Sequence, residues 1–223
     1  MCSYMNFSAR IPLSATPEQQ ERLRALQQVF AQVCNELTPH VREARVWNRV
    51  ALHHLFYRRL REAFPALGSQ MVCNAIYAVS KISRLVYQHP KSPYSFGRSG
   101  DKALPLLRFS DAGPVYFDRH TLSVKDGKLS LFTMDGRIRF DLGMSPAQLW
   151  LLERARLREV VLQNDSKDGF ELLLMGTCEE VSGLPTPHFA RGDFLIEGAE
   201  NESVVASASS DVVPDYVQVE LMS

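Results

Sequence analysis

The stretch FLIEGAENESVVAS, residues 194–207, crowds Glu197, Glu200 and Glu202 around Gly198 between two apolar runs. Carboxylates at a strand end are the ligands of two-metal hydrolysis, provided that several converge on the same ions. The other residues able to do covalent or metal chemistry are poorly arranged for it. There is no G-x-x-x-x-G-K-S/T loop, no G-x-S-x-G elbow and no H-E-x-x-H. His53 and His54 are adjacent, so on a helix they point about 100° apart and cannot share an ion as an i, i+4 pair does. Cys34 and Cys73 fall in apolar helical stripes, where a thiol packs rather than attacks. Cys2, Cys34, Cys73 and Cys178 include no C-x-x-C pair, which speaks against a zinc knuckle and a dense disulfide framework. No catalytic residue, metal site or cofactor is therefore expected.

Binding of phosphates is a stronger expectation. The net charge is zero, yet residues 1–163 carry 23 Lys and Arg against 13 Asp and Glu, while residues 164–223 carry 2 against 12. A basic body and an acidic tail suggest that the body meets an anion and the tail meets something else, including the body itself. Within residues 41–64, Arg42, Arg45, Arg49, Arg58, Arg59 and Arg61 recur on one helical face, with Trp47 and Tyr57 between them. Forked guanidinium donors suit phosphate oxygens and aromatic rings suit stacking on bases. Arg108, Arg119, Lys125, Lys128, Arg137 and Arg139 extend the basic set into a strand-rich region. Arg137 and Arg139 share one side of a strand, where a backbone can follow them. The plain alternative is a solvated charged face.

These residues need elements to hold them. MNFSARIPL alternates as a half-buried strand, with Met5, Phe7, Ala9 and Ile11 on one side. Thr16-Pro17-Glu18-Gln19 is an N-cap, a first-turn proline and a capping-box glutamine, opening a helix through Leu23, Leu26, Phe30, Val33 and Leu37. Pro39 is expected to break it. A second helix then spans VREARVWNRVALHHLFYRRLREAF up to Pro65, and a third spans LGSQMVCNAIYAVSKISRLVY with Gln70, Asn74, Lys81 and Arg84 on its polar side. After PKSPYSFGRSG the period becomes two. Pro105–Phe109, Val115–Phe117, Leu122–Val124, KLSLFTM and RIRFDL read as strands, the last two joined at Asp135-Gly136. PAQLWLLER reads as a short helix, and REVVLQ and FELLLM as strands around Asp168-Gly169. The fold class is α+β, a helical bundle interrupting a sheet or small barrel. The organisation expected is a β domain of residues 1–15 and 100–185, a helical domain of 16–99 and an acidic tail of 186–223. No apolar run reaches the ~18 residues of a membrane span and no secretory signal is visible, so a reduced, cytoplasmic protein is expected.

SARIPLSATPEQQERL, LFYRRLREAFPALGSQMVCNAIYAVSK, PVYFDRHTLSVKDGKLSLFTMDGRIRFDL and DGFELLLM, in that order, resemble the N-terminal half of the transposon-encoded TnpB (OrfB) family, RNA-guided nucleases related to the type V CRISPR effectors. The likeness runs over about residues 5–210. Its most specific part is Tyr116 to Arg137, with Phe117 inserted before Asp118. The resemblance implies a barrel-like wedge domain and an inserted three-helix recognition domain, which together cradle a structured guide RNA and its heteroduplex with a DNA target. It places Gln70 and Asn74 where the family presents amides to a short DNA motif, a role amides fill at adenine edges. It also implies that FLIEGAENESVVAS stands at the start of a RuvC-type nuclease domain, with Ile196 at the position of a metal-binding aspartate. Glu197 is one residue late and turned to the opposite face. The reading that follows is a nuclease-deficient RNA- and DNA-binding module. The alternatives are half of a split nuclease, whose C-terminal strands receive a second protein chain, and a protein–protein subunit or inhibitor with an acidic tail that mimics nucleic acid.

Overall fold

A computed structural model describes residues 4–99, 103–125, 127–143, 155–166, 168–179, 194–195 and 212–221. The chain divides into two units, Met1–Leu23 with Tyr116–Glu202 and Arg24–Val115 with Ser203–Ser223.

In the first unit, β1 (Tyr4–Leu13) buries Phe7, Ala9, Ile11 and Leu13 and exposes Asn6, Arg10 and Pro12, the alternation its sequence dictates. It pairs antiparallel with β8 (Phe170–Glu179) along its whole length, from Tyr4 opposite Glu179 to Leu13 opposite Phe170. β7 (Arg156–Asn164) lies on the other side of β8 and turns into it through Asp168, whose φ is 59°. Gly176 is required where these three strands meet. A Cβ there would stand 2.6 Å from the Arg156 carbonyl oxygen and 3.0 Å from the Phe7 ring. With β3 (Val115–Phe117) and β9 (Phe194–Leu195) at its edges, the sheet runs β3-β7-β8-β1-β9.

A second sheet is the meander β4 (Leu122–Lys125), β5 (Lys128–Thr133) and β6 (Gly136–Asp141). Leu122, Leu129, Leu131, Ile138 and Phe140 form its buried face. The turn between β5 and β6 holds Met134 and Asp135, one residue earlier than the expected Asp135-Gly136 loop, and Gly136 opens β6 at φ 91°. Here α1 (Pro17–Ala44) begins. Its capping box forms as expected: the Thr16 N–H donates to Gln19 Oε1 at 3.0 Å and the Gln19 N–H to Thr16 Oγ1 at 3.3 Å.

In the second unit the remainder of α1 is followed by α2 (Arg49–Ala63), α3 (Ser69–Gln88) and the single turn α4 (Phe96–Ser99). Pro39 does not break α1, which continues beyond it to Ala44 before the chain turns at Arg45, φ 52°. A proline at position 39 withholds the N–H that the Asn35 carbonyl would accept. The buried Thr38 hydroxyl donates to that carbonyl instead, at 3.3 Å. Pro39→Ala should restore the backbone bond and raise stability by about 1–2 kcal/mol in urea unfolding, less than a fully uncompensated helix proline costs. The real helix break is marked by Asn48, whose Oδ1 accepts from Val50 N at 2.9 Å and Ala51 N at 3.2 Å.

α3 buries Met71, Ala75, Val79, Ile82 and Val86, the expected stripe. β2 (Leu106–Phe109) pairs antiparallel with β10 (Val217–Glu220), Val217 opposite Phe109 and Glu220 opposite Leu106. The strand-forming tail is thus paired within the chain on one edge, with Val217 buried and Glu220 3.4 Å from Arg108. On the opposite edge of β2 one side chain grips Phe109. Asn35 Nδ2 donates to the Phe109 carbonyl at 2.9 Å and Asn35 Oδ1 accepts the Phe109 N–H at 2.7 Å.

Two groups in this unit resist ionisation. Burial pushes the Cys34 thiol up. It also pushes up the Tyr87 hydroxyl, which donates to the Pro105 carbonyl at 2.8 Å; nearby Arg42 opposes that shift in part. Both keep their protons when folded and release them when unfolded. Their contribution is therefore complete below the ordinary values of 9.0 and 10.0 and is lost as pH rises past them. Urea stability should fall by about 1.4 kcal/mol per pH unit per group beyond those points, and the combined Cys34→Ala and Tyr87→Phe variant should show a flatter profile.

The fold is α+β. Among the described residues its strands form three sheets of five, three and two strands, and none of them closes on itself. The expected PAQLWLLER helix and Ile196, Glu197, Glu200 and Glu202 lie outside the described residues.

Candidate nucleic-acid interface

The arginine row expected along helix two is not one row. The break at residues 45–48 places Arg42 on α1, Arg45 in the turn and Arg49 at the first position of α2. Within this unit their charges already have neighbours. The Arg45 guanidinium lies 5.3 Å from the centroid of Phe96, and that of Arg49 lies 5.2 Å from Tyr77. Arg58 pairs with Glu62 at 3.0 Å and Arg59 with Glu36 at 2.8 Å. Arg61 donates to the carbonyls of Phe64 and Leu67 and closes the end of α2.

The aromatics are likewise engaged. Tyr57 stacks on His53 with centroids 4.6 Å apart, and Trp47 packs against Tyr87 at 5.5 Å. On α3, Asn74 is only 5 % exposed. Its amide sits inside the helical unit rather than on a surface that could read a base edge, which corrects its placement on the polar face. Gln70 and Lys81 are half-buried and Arg84 is exposed.

The strand cations are arranged differently. On the outer face of the β4-β5-β6 sheet, the registers set Ser123, Ser130 and Arg139 in one row, Lys125, Lys128 and Asp141 in the next, and Phe132 opposite Arg137. Strict alternation puts all eight on one face, with the apolar residues of the same strands beneath. Lys125, Lys128 and Arg139 are exposed and make no ion pair among the described residues. Asp141, opposite Lys128, is the one acid among these eight residues. Arg119 lies in the turn before β4, its Nε 3.3 Å from His120 Nε2.

Arg137 and Arg139, two residues apart on one strand, have different tasks. Arg137 is a staple across the meander. Its Nε donates to Ser130 Oγ at 2.9 Å, Nη2 to the Ser130 carbonyl at 2.9 Å and weakly to Ser123 Oγ at 3.5 Å, and Nη1 to the His120 carbonyl at 3.2 Å. The Arg139 side chain makes no such bond among the described residues. It points from the same face with its donors available to an incoming group.

Beside β6, the start of α1 closes a groove of about 500 Å³ lined by Thr16, Glu18, Gln19, Arg22, Arg137 and Arg139. Gln19 Nε2 donates to the Arg139 carbonyl at 3.1 Å and Arg22 Nη2 to Thr133 Oγ1 at 2.7 Å and the Asp135 carbonyl at 2.9 Å, so the helix start is pinned to the hairpin. Arg22 is a site residue that its type alone does not mark. Its signal was its place one turn beyond the capping glutamine, on the side of Glu18.

Such a face can hold a polyanion by charge and by hydrogen bonds to phosphate, with Phe132 as an apolar contact. Among the described residues no group of three or more His, Cys, Asp or Glu is placed to hold a metal ion, and no helix is long and apolar enough to cross a membrane. No protein-family model and no curated protein matches the chain.

Proposed function

We propose that the chain is a nucleic-acid-binding module that holds a structured RNA, and through it a DNA target, within a ribonucleoprotein, and acts by occupancy or recruitment rather than by cutting. The observation that carries this reading is the outer face of the β4-β5-β6 sheet, where Lys125, Lys128, Arg137 and Arg139 stand together with one carboxylate, Asp141, among them. A polar surface without function is better served by interspersed charges of both signs. The resemblance to the TnpB family supports the same reading. On it, the helices of the second unit correspond to the recognition bundle, the strands to the wedge, and guide pairing supplies sequence choice.

In this reading FLIEGAENESVVAS binds no catalytic metal. Magnesium-dependent cleavage by the isolated chain, abolished by Glu197→Ala, would overturn that part. The split-nuclease alternative loses support from the tail, because Val217–Glu220 is already paired with Leu106–Phe109 on one edge and Val217 is buried. Purification from the native host followed by sequencing of bound RNA tests the proposal. A discrete RNA species with a variable end is expected, and nucleic-acid-free protein would remove the reading.

A further inference from the structure

The groove beside the start of α1 has an unbalanced charge. Three arginines, Arg22, Arg137 and Arg139, are among its lining residues with one acidic residue, Glu18, while the Arg137 guanidinium itself reaches across the sheet face to Ser130 and His120. The bonds that hold Arg22 and Arg137 run to carbonyls and hydroxyls, which orient the groups without neutralising them. Arg22 Nε is also buried without a hydrogen-bond partner among the described residues. Like charges gathered in one open groove repel one another unless an anion joins them.

From this arrangement we infer that the groove is a seat for one phosphodiester of a nucleic-acid strand, gripped by Arg139 and held in the field of Arg22 and Arg137. The inference rests on the nucleic-acid reading above and specifies where the strand is anchored. A strand fits better than a free phosphate because Arg137 and Arg139 belong both to the groove and to the outer sheet face. A chain with one phosphate in the groove leads directly onto Lys125 and Lys128. Glu18 limits affinity: it is the single group at the site that repels the ligand.

The test is fluorescence anisotropy of the full chain with labelled 12-nucleotide RNA and DNA oligomers over a series of salt concentrations. Arg139→Gln should weaken binding about three- to tenfold and lower the salt slope by about 0.7, the value of one phosphate contact on a single strand. Glu18→Gln should tighten binding about two- to fivefold, as removal of one exposed like charge does. A misfolded variant would not produce that gain. Lys91→Gln, which removes a charge from outside the groove, should do neither. Unchanged affinity in both groove variants, with the wild type still binding, would overturn the seat and leave the face reading standing. Absence of wild-type binding would overturn both. Competition separates the two sources of phosphate chemistry. Inorganic phosphate should compete no better than chloride at equal ionic strength, whereas competition at micromolar phosphate would overturn the assignment to a strand.

Discussion

Asn35→Ala is expected to lower the stability of the chain by about 2–4 kcal/mol, because it strands two backbone groups rather than one. Asn35 supplies to the free edge of β2 what a neighbouring strand would supply, an acceptor at 2.7 Å for the Phe109 N–H and a donor at 2.9 Å for its carbonyl. β10 occupies the other edge, where the Ser110 N–H donates to the Tyr216 carbonyl at 2.9 Å. Losing the amide should therefore loosen β10 as well as β2, and the tail should become an early site of proteolysis. Asn35→Asp separates this account from a mere cavity. Near neutral pH the introduced carboxylate keeps the acceptor, loses the donor and faces a carbonyl oxygen. Once protonated it has the hydrogen-bonding pattern of the amide. Its folded-state pKa is then raised above the unfolded ~3.9, so stability should recover as pH falls through the folded value, opposite to the usual course of acid unfolding. Urea midpoints from pH 7 to pH 4 measure this, and a variant as stable as wild type at pH 7 would contradict the clamp.

The second large effect concerns Arg137. Although exposed, it ties Ser130, Ser123 and His120 together across three strands. Arg137→Ala should cost about 1–3 kcal/mol, the sum of several solvent-accessible bonds. Arg137→Lys should recover much of the nucleic-acid affinity and little of the stability, since a point charge cannot reproduce the fork. Thermal unfolding and anisotropy on the same samples distinguish the two roles. If Arg137→Ala were as stable as wild type and lost its affinity, the residue would be a phosphate ligand and not a staple.

Local signals were readable in the sequence. The Thr16 and Gln19 capping box, the α3 stripe and the alternation of β1 are each fixed by neighbours within a few residues. Sequence pattern and structure differ where a distant or unusual partner decides. Pro39 looked like a stop because the side chain that replaces its missing bond, Thr38, matters only once the helix exists. The true break is capped by Asn48, and apolar periodicity on both sides of it makes the two segments look continuous. Merging the two segments created a continuous arginine face, and the structure divides it among α1, a left-handed turn and α2. Asn35 had no signal at all, since its partner lies 74 residues away. Asn74 was assigned to a polar face by residue type, whereas the packing of α3 encloses it.

The basic sheet face was legible for the opposite reason. Alternation places Arg137 and Arg139 on one side from sequence alone, and the registers of β4, β5 and β6 add Lys125 and Lys128 to it. What alternation could not show is that one arginine is spent on the sheet and the other is not.

The most direct test of the central claim is the affinity of the full chain for single-stranded RNA measured against salt. Binding through phosphate contacts predicts that the logarithm of the association constant falls linearly with the logarithm of salt concentration, by about 0.7 for each phosphate neutralised. Affinity that does not change with salt, or no affinity at low salt, would contradict it.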